Sequence, residues 1–319
     1  MHTGLSTDET TDRHGGRLRT ARLGLGTVQF GLDYAIDAAE TQPSPEDVAR
    51  ILALARSAAV SLLDTASAYG TAEEVLGRAL RGSDDFRIVT KTATFDADVI
   101  RPADAETLTA VFRQSLGRLG RPSVYGLMVH KAANLLAEGG EYLFEALVAL
   151  RRSGLVKKIG VSVYDAAQIE SLTTRYPLEL VQAPVSILDQ RLIAGGQLSA
   201  LKELGIEIHA RSAFLKGLVF ADPARLPRHF DSSKPALLAF REAAREHSLS
   251  LQAAALNFLL DRAELDTVLC GVTGPKQLEE ILAAARGTGA GIHALPEPAR
   301  FALTDPDVLN PALWPDFRI

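Results

Sequence analysis

One repeating pattern constrains this chain more than any single residue: short aliphatic runs alternate with amphipathic stretches from one end to the other. Strand-like runs occupy 21–30, 60–64, 86–91, 123–130, 156–162, 178–184, 206–211 and 266–272. A helical pattern follows each. The first, 44–59, opens on a cap-like Ser44 and sets Val48, Ile51, Leu52 and Ala55 on one face. The third, 105–120, stops at Gly120. Two helical patterns, 234–248 and 249–263, precede the last strand, so the unit between strands 7 and 8 carries one extra helix. Unbroken βα alternation implies parallel strands joined by crossover helices. Eight such units close on themselves more readily than they form an open sheet. The expected fold class is α/β, a (β/α)8 TIM barrel in a single domain.

The 319 residues suit one large barrel domain. Residues 1–20 are polar and without an apolar segment, and are expected to be a flexible leader; 21–319 form the barrel, with a C-terminal tail near its mouth. The formal charge is −5 and carries no block of like charges, so neither nucleic acid nor a membrane surface is an expected partner. No apolar run approaches the roughly 20 residues of a spanning helix. A single cysteine, Cys270, fits a reducing, cytoplasmic setting. The seven histidines show no metal-ligand spacing, so no metal is expected. The sequence leaves monomer and homo-oligomer open.

In a barrel of this kind, chemistry gathers at the C-terminal ends of the strands. Those ends read Asp64, Lys91, His130, Ser162, Gln182 and Arg211, and Tyr69 lies just past the second. A phenol near its ordinary pKa of about 10 is a poor proton donor at neutral pH. A lysine ammonium within a few Å favours the phenolate, and a buried lysine needs a carboxylate partner. Asp64 can hold Lys91, Lys91 can tune Tyr69, and His130 can orient a carbonyl oxygen. His209 and Cys270 are expected to be packing residues, and Glu73 and Glu74 are explained by their place at a helix start. The opening "GLGTVQFG" lacks the G-x-G-x-x-G spacing of a Rossmann turn.

The segments "LGLGTVQFG", "DTASAYG", the "TK" closing strand 3, "LMVHK", "KKIGVS", "LVQAPVSILDQR" and "GVTGPKQLEE" resemble, in order, those of the aldo-keto reductases over about 21–286. The resemblance implies a (β/α)8 barrel, NADPH (NADP) rather than NAD as coenzyme, and reversible reduction of an aldehyde or ketone. It makes Tyr69 the general acid, Lys91 and Asp64 its tuning pair, and His130 the carbonyl orienter. Gly26, Thr27, Ser162, Gln182, Arg211, Gly271, Thr273, Lys276, Gln277 and Glu280 fall at coenzyme-binding positions, with Ser162 and Gln182 facing the nicotinamide carboxamide.

The chain departs from the family pattern where Val163 replaces an asparagine and Arg211 a ring-stacking tyrosine. Gly271, Gln277 and Ile281 stand near the places of the usual adenosine-phosphate and adenine contacts, leaving Lys276 as the nearest cation and Glu280 at the acidic position. A nucleotide-binding regulatory barrel with little turnover is the alternative these departures suggest; a Schiff-base lyase or isomerase using Lys91 is a third. Phe30, Tyr34 and Trp314 are expected substrate walls, with Phe214, Phe220 and Phe317 as further candidates. The short loop 131–140 points to an open mouth and a polar or bulky small-molecule carbonyl substrate, such as a sugar aldehyde.

Overall fold

A computed structural model describes residues 19–33, 42–83, 85–286 and 295–315. Eight parallel strands close into a barrel in sequence order: β1 (Leu23–Gly26), β2 (Leu62–Asp64), β3 (Arg87–Lys91), β4 (Val124–Val129), β5 (Val156–Ser162), β6 (Leu180–Pro184), β7 (Glu207–Arg211) and β8 (Thr267–Gly271). β1 and β8 seal the ring, with Gly26 opposite Gly271. The helices are α1 (Pro45–Ser57), α2 (Ala72–Ala79), α3 (Pro102–Leu119), α4 (Ala132–Leu136), α5 (Gly140–Arg152), α6 (Ala166–Arg175), α7 (Arg191–Ala194), α8 (Gln197–Glu203), α9 (Lys234–Glu246), α10 (Leu251–Leu260), α11 (Pro275–Arg286) and α12 (Pro306–Leu309). The extra helix between strands 7 and 8 is present, as α9 followed by α10.

Local chemistry explains the helix ends. The Ser44 hydroxyl accepts from Asp47 N at the start of α1, Asp165 from Gln168 N at α6, and Ser250 from Ala253 N at α10. Gly120 ends α3 at φ +63°, in the left-handed region where glycine carries no side-chain penalty.

The lumen is filled, not hollow. Leu62, Val89, Met128, Leu180 and Leu269 form an inner cluster. Gly24 makes room for it: a Cβ there would lie 2.8 Å from the side chains of Leu269 and Thr267. A larger apolar layer packs strands against helices, and buries Cys270 and Ile281.

The other end of the barrel holds a polar knot. Glu207, at the start of β7, accepts from Tyr125 Oη (2.6 Å), Lys158 Nζ (2.6 Å) and His209 Nε2 (2.7 Å). His209 is fully buried, but its Nδ1 has no partner, so it is only half satisfied. Three donors hold the Glu207 carboxyl well below the usual carboxylate range, despite burial acting the other way.

Two sequence expectations need correction, and a third needs completing. β1 stops at Gly26, and a 3-10 turn, Val28–Phe30, follows; it carries Phe30 into the outer apolar layer at 2% exposure instead of to the mouth. Arg19 and Thr20 belong to the barrel, not to a leader: Arg19 binds Asp261, Asn257 Oδ1 and Ala285 O, and Thr20 is buried. Residues 1–18 lie outside the described residues. Glu73 does stand in the first turn of α2, but helix-start placement is not all that holds it. It is buried and bonded to Thr90 Oγ1 (2.7 Å) and Arg118 Nε (2.8 Å), tying α2 to β3 and α3.

Candidate active site

Strand geometry brings the expected residues together at one mouth. β2, β3, β5 and β7 end on Asp64, Lys91, Ser162 and Arg211, and His130 directly follows β4. Lys91 Nζ donates to Asp64 Oδ2 at 2.7 Å, to Thr65 O at 3.0 Å and to Tyr69 Oη at 3.4 Å. Lys91 is 2% exposed and Asp64 4%. Burial alone would pull the lysine's proton affinity down. The charges and hydrogen bonds of Asp64 and Tyr69 outweigh it, and the net direction is upward, so Lys91 stays an ammonium.

The His130 ring meets the Tyr69 ring edge-on, with centroids 5.8 Å apart. Its Nδ1 is buried and unpartnered. Burial, and then the Lys91 charge, bring its pKa down to about 4; Asp64 opposes this and Arg211 reinforces it. His130 is therefore neutral at physiological pH. One nitrogen of a neutral imidazole carries a proton to donate, and nothing in the protein takes it at Nδ1.

The Tyr69 loop is set by close backbone packing. Gly70 sits at φ +54°, and a Cβ there would lie 2.3 Å from Gly31 O. Thr27, expected among coenzyme ligands, instead clamps β2: its N and Oγ1 each donate to Asp64 O at 2.9 Å.

Gln182 is expected from the sequence at the nicotinamide carboxamide; its bond to Asp64 is what sequence reasoning missed. Its Nε2 donates to Asp64 Oδ1 at 2.7 Å, from the opposite wall. The Arg211 guanidinium stacks on the Tyr164 ring, 4.2 Å from its centroid, and donates to Val163 O at 2.9 Å and Ser212 Oγ at 3.2 Å. Both Val163 and Arg211 break the family pattern, and the carbonyl of one anchors the side chain of the other.

At the start of α11, Gln277 Oε1 accepts from Thr273 N at 2.8 Å, closing the loop on itself. Lys276 and Glu280 are exposed. Trp314 packs edge-on against Phe230, with centroids 5.0 Å apart, and donates to Val308 O. It thus lies on the segment that follows β7. The Phe214 and Phe220 rings pack 5.0 Å apart in the same segment. Tyr34 and Phe317 lie outside the described residues. Burial pushes the Cys270 thiol up to about 12, so it is inert as a nucleophile.

The residues present fit a nicotinamide dinucleotide. The Ser162 hydroxyl and Gln182 Oε1 have no hydrogen-bond partner among the described residues; the two residues stand opposite each other in the β5–β6 register, and Gln182 bonds Asp64 of the buried pair. A Cβ at Gly217 or Gly274 would meet nothing within 4 Å, so backbone is open after β7 and before α11. Ser162 and Gln182 would hold a carboxamide, and the β8–α11 turn a phosphate.

Residues 22–287 match the Aldo/keto reductase family model. The chain belongs to this family and is an NAD(P)-dependent oxidoreductase. Among its relatives is an NADH-specific methylglyoxal reductase of Escherichia coli, 24% identical over 304 residues covering 83% of this chain and 89% of the relative. An aldo-keto reductase of a Mycobacterium species is 29% identical over 57% of this chain and 64% of its own length. Among solved structures, an aldo-keto reductase from Bacillus halodurans in its holo form superposes with a TM-score of 0.68 at 20% identity, covering 93% of this chain and 95% of that one. No helix among the described residues is long and apolar enough to cross a membrane.

Proposed function

We propose that the protein reduces a small aldehyde or ketone, with Tyr69 as the proton donor. The observation that carries this reading is Lys91, a buried ammonium held by Asp64 and pointed at the Tyr69 hydroxyl. A bound nicotinamide coenzyme supplies the reducing equivalent to the carbonyl carbon. Tyr69 gives its proton to the carbonyl oxygen as charge develops there, and the Lys91 ammonium stabilises the phenolate left behind. His130, neutral and with a free ring nitrogen, donates to the same oxygen and aligns it. Because Lys91 stays charged, it is not an amine nucleophile, which argues against Schiff-base chemistry. Intact acid–base geometry likewise favours turnover over a purely regulatory barrel.

For the coenzyme, we propose NADPH over NADH, a preference that depends on Lys276. It is the one cation in the first turn of α11, and it has no carboxylate partner among the described residues. The single, buried cysteine suits a cytoplasmic enzyme.

Coenzyme binding followed by Trp314 fluorescence, then an aldehyde panel that includes methylglyoxal, tests the reading. Tyr69→Phe should bind coenzyme as the wild type does and lose about 10²–10⁴-fold in turnover. Undiminished turnover in that variant refutes the role of Tyr69.

A further inference from the structure

β2 and β6 are four strands apart in either direction around the ring, so they face each other across the lumen. The Gln182–Asp64 hydrogen bond therefore crosses the barrel. Gln182 is 1% exposed, so the bond is made away from water. A carboxylate only accepts, which fixes the amide's orientation: Nε2 faces Asp64 and Oε1 faces away.

Asp64 is thus held from two sides, Oδ2 by Lys91 of β3 and Oδ1 by Gln182 of β6. We propose that Gln182 is a positioning residue for proton transfer: it fixes the Asp64 carboxylate, and through it the Lys91 ammonium, beneath Tyr69. This rests on the reading of Tyr69 as general acid. Without the amide, Asp64 Oδ1 becomes a buried charged oxygen with no side-chain donor, and the carboxylate is free to rotate away from Lys91. Gln182 Oε1 faces away from Asp64 and has no partner among the described residues. A ligand N–H that bonds there is linked to Asp64 through a single amide, so seating the ligand also sets the acid–base pair.

The test is a double-mutant cycle of Gln182→Met and Asp64→Asn, read in two ways. One is the single-turnover rate of aldehyde reduction; the other is the melting midpoint of the unliganded protein. In D64N the new amide turns its oxygen to Lys91, so the Gln182 N–H loses its charged acceptor. The expected result is a roughly tenfold or greater rate loss for Q182M, a loss for D64N, and a double variant close to D64N alone. The melting midpoint should show the same non-additivity. A third variant, Gln182→Glu, keeps the shape. Its protonated carboxyl can donate to Asp64, so its rate should approach wild type at low pH and fall as the new carboxyl ionises. Rate losses that multiply independently, together with a wild-type pH profile for Q182E, overturn the proposal while leaving the Tyr69 reading intact. An unchanged rate in D64N also overturns the proposal, with the role of Tyr69 still decided by the Tyr69→Phe variant, and the melting cycle then reports the bond as purely structural.

Discussion

Gly31 lies so close to the Tyr69 backbone that a Cβ at Gly31 would stand 2.0 Å from Tyr69 O and 2.4 Å from Ala72 N. Both obstacles are main chain, so neither can swing aside. The loop after β1 and the loop after β2 are therefore interlocked through a position where only a hydrogen fits. This contact, with the left-handed Gly70 facing it, fixes where the tyrosine leaves the barrel.

Gly31→Ala should accordingly act on catalysis without touching a catalytic group. Relieving the clash displaces the Tyr69 turn, and an overpacked site of this kind costs about 1–3 kcal/mol. A shift near 1 Å in the acid is expected to lower kcat about 10²-fold. Urea unfolding and steady-state kinetics on the one variant check both numbers. A wild-type kcat would show that the turn tolerates the added methyl group.

Lys91→Met removes the ammonium but leaves Asp64 buried with only Gln182 as a side-chain donor. Breaking a buried pair from one side costs about 3–5 kcal/mol, because the remaining charge is uncompensated. Lys91→Met combined with Asp64→Asn should recover much of that stability and none of the activity. Chemical denaturation of the single and double variants separates the two effects. If the double variant is no more stable than Lys91→Met, the uncompensated charge is not what the single substitution costs.

The neutral state of His130 makes a pH prediction whose sign follows from its lowered pKa. Its folded pKa is about 4, against 6.5 for the unperturbed group. Between those values the unfolded chain binds the extra proton and the native state does not. Stability therefore rises with pH across this window and falls as pH drops from about 6.5 toward 4, by up to about 3 kcal/mol. His130→Gln should flatten this part of the profile. Unfolding free energies at pH 7, 6 and 5 for both proteins measure the difference, and parallel slopes would sink the prediction. Arg211→Leu removes one of the charges acting on His130 and should move the wild-type transition upward.

The Glu207 knot gives the contrasting case, a buried charge cluster at the end away from the chemistry. Glu207→Ala leaves Tyr125, Lys158 and the buried His209 without their common acceptor. A loss of about 2–4 kcal/mol is expected. With Asp64, Lys91 and Tyr69 untouched, kcat at 25 °C should stay within about twofold of wild type. A large fall in kcat with unchanged stability would show that the two ends of the lumen are coupled.

These two clusters also mark what the sequence could and could not reveal. Asp64, Lys91 and His130 are legible because each closes an aliphatic run, and barrel geometry sends every such end to the same mouth. Tyr69 follows from its place just beyond one of them. Glu207 escaped notice because it opens its strand, and the starts of strands carry no catalytic expectation. The Gln182–Asp64 bond escaped because it links opposite walls 118 residues apart, a relation with no local spacing to betray it. Phe30 was misplaced for a different reason. The run 21–30 reads as one continuous strand, but Thr27 turns the chain by bonding to Asp64 O, and the aromatic ring rotates into the outer layer.

The proposed preference for NADPH rests on a single exposed side chain, Lys276, which makes it easy to test. Gln277 turns its amide oxygen to Thr273 N and carries no charge, and Ile281 is buried in the apolar layer, so Lys276 is the charged group that the first turn of α11 offers a phosphate. Lys276→Met should then weaken NADPH binding about tenfold, the worth of one solvent-exposed charge-assisted contact, while leaving NADH binding within about twofold. The effect should shrink as salt is raised, because an exposed contact is screened over a Debye length of about 8 Å at physiological ionic strength. Fluorescence titrations with both coenzymes at low and high salt provide the comparison. Equal losses for NADPH and NADH would place Lys276 on a phosphate common to both, and a wild type that binds NADH more tightly would assign this chain the other coenzyme.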